Sequence, residues 1–135
     1  MNKMLIINTD GGARGNPGPA GAGVVFRDES NNIIAEYKKY LGAQTNNFAE
    51  YQALILALEE AAKLGAEKLK INMDSELIVR QMQGKYKIKE PTLKLLAAEV
   101  FKLTNKFKNV EFHHVLRGYN KEADALVNQA IDAAL

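Results

Sequence analysis

Met4, Leu5, Ile6 and Ile7 form an apolar run that passes into Asn8, Thr9 and Asp10, the pattern of a strand over residues 4–10. The next stretch, Gly11 to Gly23, holds six glycines together with Pro17 and Pro19, which predicts a turn or extended connection rather than a helix. Val24, Val25 and Phe26 resume an apolar run that ends in the turn-like residues Asp28 to Asn32. Ile33 to Leu41 mixes apolar and polar positions around Tyr37 and Tyr40 and reads as a third strand. Intervals this short join antiparallel neighbours, so the first third of the chain predicts a three-stranded meander.

Beyond Asn46 and Asn47, both competent helix N-caps, Phe48, Tyr51, Ile55, Leu58 and Ala62 recur at steps of three and four. They predict a long helix closed by Gly65. Leu69, Ile71 and Met73 then alternate with Lys70, Asn72 and Asp74, a strand with two distinct faces. A short helix is expected from Ser75 to Met82, followed by a basic loop with Lys85, Lys87 and Lys89 around Tyr86. Pro91 suits the first turn of another helix, running to Lys106 with Leu95, Ala98 and Leu103 on its apolar side. Val110 to Val115 reads as a last strand, and Asn120 is placed to cap an alanine-rich helix to Leu135. This order predicts an α/β fold, a mixed sheet with helices on its faces. No repeat, linker or low-complexity segment interrupts it, so residues 1–135 are expected to form a single domain.

Against that pattern four carboxylates stand where neutral residues belong. Asp10 shares a strand face with Ile6 and Asn8, and Asp74 shares one with Asn72 and Lys70. If the two strands are parallel neighbours, both acids emerge at the C-terminal ends, where open α/β sheets place their ligands. Glu50 lines up within about 40° of Leu54, Ala57 and Ala61 on the inward side of the long helix. A capping box with Asn47 explains it equally well. Asp124 lines up within about 60° of Val127, Ile131 and Leu135 in the last helix, where the helix dipole alone could favour it. Four acids converging on one spot need a counter-charge.

Composition decides what that counter-charge is. The chain has 135 residues, ordinary hydrophobic (47%) and charged (25%) content and no cysteine, which excludes disulfides, a thiolate nucleophile and thiolate metal sites. Any metal must then sit on carboxylates, the two histidines, carbonyls or water, which favours a hard ion such as Mg²⁺ or Mn²⁺ over structural zinc. Two such ions roughly 4 Å apart would activate a water and stabilise the leaving oxygen of a phosphodiester. The net charge of +2 tolerates a polyanionic ligand without arguing for one. No apolar run is long enough to span a bilayer. The first residues pass quickly into Asn8 and Asp10 without a secretory signal, so a cytoplasmic protein is expected.

Other motif readings are weaker. Gly11 to Gly23 contain neither G-x-G-x-x-G nor G-x-x-x-x-G-K-[ST], and a strand rather than a helix follows. Of the two histidines, alternation places His114 with Val110 and Phe112 and His113 with Glu111, so one packed and one partly solvated ring are expected. The three loop lysines could track a phosphate backbone, but so small a cluster reads rather as a solvated basic loop.

Taken in order, Thr9-Asp10-Gly11-Gly12-Ala13-Arg14-Gly15-Asn16-Pro17-Gly18-Pro19-Ala20-Gly21, then Thr45-Asn46-Asn47-Phe48-Ala49-Glu50, Asp74-Ser75 and Asn120-Lys121-Glu122-Ala123-Asp124 closely resemble the four motifs of the type 1 ribonuclease H family. The resemblance implies a five-stranded mixed sheet, three antiparallel strands and then two parallel ones. It implies metal-dependent endonucleolytic cleavage of the RNA strand of RNA/DNA hybrids, leaving 5′-phosphate and 3′-hydroxyl ends. Asp10, Glu50, Asp74 and Asp124 correspond to that family's metal-site acids. Gly11, Asn16, Asn46, Asn47 and Asn120 correspond to substrate contacts, in keeping with short polar groups meeting 2′-hydroxyls across a minor groove.

Three departures from the family pattern stand out. Only Gln83 to Lys89 occupies the stretch where some members carry a lysine- and tryptophan-rich protrusion, and the chain has no tryptophan. Glu76 follows Asp74-Ser75 in place of a neutral residue. Arg117 stands where a flexible histidine assists in some members; a guanidinium cannot take up a proton, so Arg117 would orient water or product phosphate. A monomeric hydrolase acting on hybrids is therefore expected, with double-stranded RNA open as a second substrate. The alternative is a non-catalytic hybrid- or RNA-binding domain of the same fold, which the retention of all four acids disfavours.

Overall fold

The computed structural model describes residues 4–135. Strand β1 spans Met4–Ala13, β2 Gly18–Arg27 and β3 Ile33–Gln44; helix α1 covers Asn46–Lys63. Strand β4 (Lys68–Met73) precedes helices α2 (Glu76–Met82) and α3 (Pro91–Thr104). Strand β5 (Asn109–His114), a 3₁₀ turn at Arg117–Tyr119 and helix α4 (Lys121–Ala134) complete the order. The five strands form one sheet in the order β3-β2-β1-β4-β5. The first three pair antiparallel, whereas β4 runs parallel to β1 and β5 parallel to β4.

Burial alternates along the strands and sorts the sheet into two faces. Leu5 and Ile7 of β1, Val24 and Phe26 of β2, and Leu69, Ile71 and Met73 of β4 pack with Tyr51, Leu54 and Leu58 of α1. α2 and α3 extend this core through Ile78, Val79 and Val100. On the other face α4 lies across β2, β3 and β1, with Ala123 and Leu126 against Val25. No helix among the described residues is long and apolar enough to cross a membrane.

The glycine-rich stretch departs from its predicted form. Most of it is strand: β1 runs on through Ala13, β2 begins at Gly18, and the short connection is held by the Arg14 amide donating to the Pro19 carbonyl at 2.8 Å. Gly15, at φ +88°, serves the connection itself, whereas Gly11, Gly21 and Gly23 are there for close packing against helices. A Cβ at Gly23 would overlap the Ala123 carbonyl, and one at Gly11 would overlap the Ala49 backbone. Helix ends therefore rest directly on the strands that carry these two residues.

Other expectations shift by a residue or a face. Thr45, not Asn46 or Asn47, caps α1, its Oγ1 accepting from the Phe48 amide at 3.2 Å. Gly65 does end the helix, at φ +73°. Helix α3 ends at Thr104 and is turned from its expected phase: Leu95 is 75% exposed, while Ala97, Val100 and Leu103 are buried. The reason is that Leu93 and Leu96 also reach the core, which rotates the inward stripe away from Leu95 and Ala98.

Candidate active site

Each acid reaches the site by a different local device. The register Asn8↔Asn72 and Thr9↔Met73 between parallel β1 and β4 carries Asp10 and Asp74 to the same edge of the sheet. Glu50 arrives from the first turns of α1, whose close seat on Gly11 lets the Gly11 amide donate to Glu50 Oε1 at 2.6 Å. That bond replaces the capping box: Glu50 faces the strand, not the helix terminus. Carboxylate oxygens of Asp10, Glu50 and Asp74 lie within 4.8 Å of one another, with Asp10 and Glu50 buried. Asp124 enters from the first turn of α4, beside Asp10 but outside that group of three.

The electrostatics of the group follow from burial without compensation. Desolvation, then the charge of Asp74, then Asp124 push the Asp10 carboxyl up to about 8, against the opposing pull of the Gly11 amide. Desolvation, followed by the charges of Asp10 and Asp74, likewise raises Glu50 well above the ordinary carboxylate range. The nearby guanidinium groups do not relieve this. Arg117 sits at the rim, 84% exposed and 4.0 Å from Asp124. Arg14 is bound to Asp132 at 2.7 Å and to Asn128 at 3.2 Å.

A hard divalent cation fits this donor set. Several carboxylate oxygens within reach of one another, no sulfur and no imidazole suit Mg²⁺ or Mn²⁺, and the raised proton affinities of Asp10 and Glu50 are in keeping with a site that would accept positive charge.

All four acids line one open cleft of about 550 Å³, together with Arg117, Gly11, Asn46 and Asn47. Asn16 and Asn120 are not part of that lining: Asn16 is exposed beside it and Asn120 is buried beneath it. Asn16 Oδ1 accepts from the Asn46 amide at 3.0 Å, and Asn46 Oδ1 in turn accepts from the Ala13 amide at 2.8 Å. Asn120 is fully buried, so its expected role as a substrate contact and as a side-chain cap of α4 gives way to another. Its Nδ2 donates to the Thr9 carbonyl at 2.9 Å and to Asp74 Oδ2 at 3.1 Å.

The histidines are also revised. His114 is exposed and His113 half-buried, bonded to Glu111 at 2.8 Å, and neither lines the cleft. Glu76, the acid that follows Asp74-Ser75, is exposed and paired with Arg80 at 3.3 Å. Sequence reasoning missed Arg14, Ser75 and Asn128 as lining residues. For Asn128 a signal existed, since it lies one helical turn beyond Asp124, whose carbonyl it bonds at 3.1 Å.

Sheet order and acid placement together are those of a ribonuclease H-like fold. The family model described as reverse transcriptase-like matches residues 8–130. Ribonuclease HI of Halobacterium salinarum is 41% identical over 93% of this chain and 63% of its own length; the solved RNase H1 of that archaeon superposes with a TM-score of 0.94, at 38% identity, covering 96% of this chain and 98% of the other. LC11-RNase H1, isolated from compost and solved in complex with an RNA/DNA hybrid, is 52% identical with a TM-score of 0.93, covering 96% and 98%. The bifunctional protein Rv2228c of Mycobacterium tuberculosis is 45% identical over 96% of this chain, which spans 36% of that relative's length. The chain belongs to the type 1 ribonuclease H family.

Proposed function

We propose that this chain, as a single ribonuclease H domain, hydrolyses the RNA strand of RNA/DNA hybrids with Mg²⁺ or Mn²⁺, leaving 5′-phosphate and 3′-hydroxyl ends. The observation that carries the reading is the cluster of Asp10, Glu50 and Asp74 at one edge of the sheet, two of them buried and all lacking a matching positive charge. Support for the substrate comes from LC11-RNase H1, whose solved complex holds an RNA/DNA hybrid.

Asp10, Glu50 and Asp74 would hold the ions, with Asp124 joining from α4. Bound there, a pair of divalent cations supplies water activation and charge stabilisation at the leaving oxygen. The protein's own part is positional. The Gly11 amide holds Glu50 in place, and Asn120 does the same for Asp74. Asn46 and Asn47 present short polar groups on the cleft wall, suited to 2′-hydroxyls, while the exposed Asn16 accepts from the Asn46 amide and so braces it. Arg117, exposed at the rim, attracts and orients phosphate without exchanging a proton.

A labelled substrate panel under Mg²⁺ and under Mn²⁺ tests this reading. Cleavage within the RNA of a hybrid, with double-stranded DNA untouched, is the expected result; it also reports whether double-stranded RNA is cut. Tight hybrid binding with no cleavage in either metal overturns it in favour of a binding domain.

A further inference from the structure

Asn8 is an anomaly that the acids do not explain. It sits mid-strand on β1, between Val25 of β2 and Asn72 of β4, and is only 8% exposed. A buried amide on a central strand costs free energy unless its hydrogen-bonding groups are used. Asn8 Nδ2 is bonded twice, to the Tyr119 carbonyl at 3.3 Å and to Asn120 Oδ1 at 3.0 Å. Both acceptors belong to the turn that leads into α4.

Two backbone carbonyls fix the polarity of this network. The Thr9 carbonyl can only accept, so Asn120 must turn its NH₂ toward it, and the same NH₂ then serves Asp74 Oδ2. Asn120 Oδ1 is thereby left facing Asn8. The Tyr119 carbonyl can also only accept, so Asn8 must present its NH₂ on that side, where it meets Asn120 Oδ1 as well. Reversing the Asn120 amide would set its oxygen against the Thr9 carbonyl and the Asp74 carboxylate. Asn8 Nδ2, donating to Asn120 Oδ1 at 3.0 Å, opposes the same reversal from the other side.

We propose that Asn8 is a positioning residue for the cation site. Acting through Asn120, it locks Asp74 as a hydrogen-bond acceptor and pins the Arg117–Tyr119 turn, and with it the start of the helix carrying Asp124, onto β1. The inference rests on the reading of the acids as cation ligands, but not on the identity of the nucleic-acid substrate. Partners of this kind around a ligating carboxylate are typically worth about 10–100-fold in metal affinity or activity.

The test is Mn²⁺ titration by calorimetry of the wild-type chain, Asn8→Leu and Asn8→Ser, below the melting temperature of each, with hybrid cleavage measured alongside. Leu approximates the shape of Asn without a donor; Ser restores one O–H. The expected result is Mn²⁺ affinity weakened at least about 10-fold in Asn8→Leu and less in Asn8→Ser. Cleavage should be recovered at high Mn²⁺, with KM for the hybrid little changed. A role confined to folding would lower melting temperature and leave Mn²⁺ affinity of the folded protein within about twofold, and that result overturns the proposal. If Asn8→Leu does not fold, Asn8→Ser decides by the same measurement, an affinity equal to wild type being the contrary outcome. A wild-type chain that binds no Mn²⁺ instead overturns the cation reading itself.

Discussion

Two helix starts deliver acids to the same cleft, and they are built differently. At the start of α1, Thr45 caps the helix, Asn46 ties it to β1, and Glu50 is 6% exposed with its carboxylate bonded to the Gly11 amide. At the start of α4, Asn120 occupies the cap position but makes no side-chain cap bond, and Asp124 keeps 38% of its side chain exposed beside the exposed Arg117. The first is a fixed carboxylate held by backbone. The second is an adjustable one that solvent can reach. On the proposed function the buried carboxylate would define where charge goes, and the exposed one would meet the substrate at the rim.

The largest expected effect separates these two acids. Glu50→Gln should lower kcat on a hybrid by at least about 100-fold, the kinetic equivalent of the several kcal/mol that a well-held polarising cation supplies. Asp124→Asn should cost nearer about 10-fold and be partly recovered by Mn²⁺. Equal losses, measured under saturating substrate, would erase the distinction between fixed and adjustable ligands.

Gly11→Ala attacks the rigid side alone. The new methyl group meets the Ala49 backbone, so α1 must move off β1, and denaturant unfolding should show a loss of about 1–3 kcal/mol. Activity should fall with it, because the Glu50 anchor is displaced. A variant of wild-type stability and activity would show that the close seat of α1 does not position Glu50.

The pH dependence of stability reads the buried acids directly. Asp10, at about 8, and Glu50, also raised, keep their protons in the folded protein at pH values where the unfolded chain has released them. The folded state therefore binds more protons between the ordinary carboxylate pKa and about pH 8, and stability in chelator must fall as pH rises through that window. The slope is at most about 1.4 kcal/mol per pH unit for each proton held. Saturating Mg²⁺ or Mn²⁺ should flatten it, because the cation supplies the missing counter-charge. Melting curves from pH 5 to 8 with and without metal check this; parallel curves would count against a shared cation site. The smallest effect belongs to Arg117→Ala, about 2–5-fold in activity, as suits an exposed charge worth under about 1 kcal/mol.

Much of this was legible in local pattern. The strand alternation of Leu69, Ile71 and Met73 exposed Asp74 as the odd residue at the end of a face, and helical phase put Glu50 with Leu54, Ala57 and Ala61, all buried in the structure. What local pattern misread depends on distant partners. Gly21 and Gly23 looked like turn residues because α4, the helix that requires their smallness, lies a hundred positions away in the chain. Asn120 looked like a cap because cap and bracket use the same side chain; only the approach of β1 and β4 shows that its amide is spent on Thr9 and Asp74. The histidines were assigned by alternation alone, which fails on β5, an edge strand where solvent reaches His114.

Asp10→Asn tests the central claim most directly, because it removes one charge from the buried cluster while keeping the shape of the side chain. Cleavage of a labelled hybrid under Mg²⁺ and Mn²⁺ should disappear, while the melting temperature in chelator at pH 8 should hold or rise, since a buried like charge has gone. Cleavage at the wild-type rate in a folded Asp10→Asn protein would contradict the account.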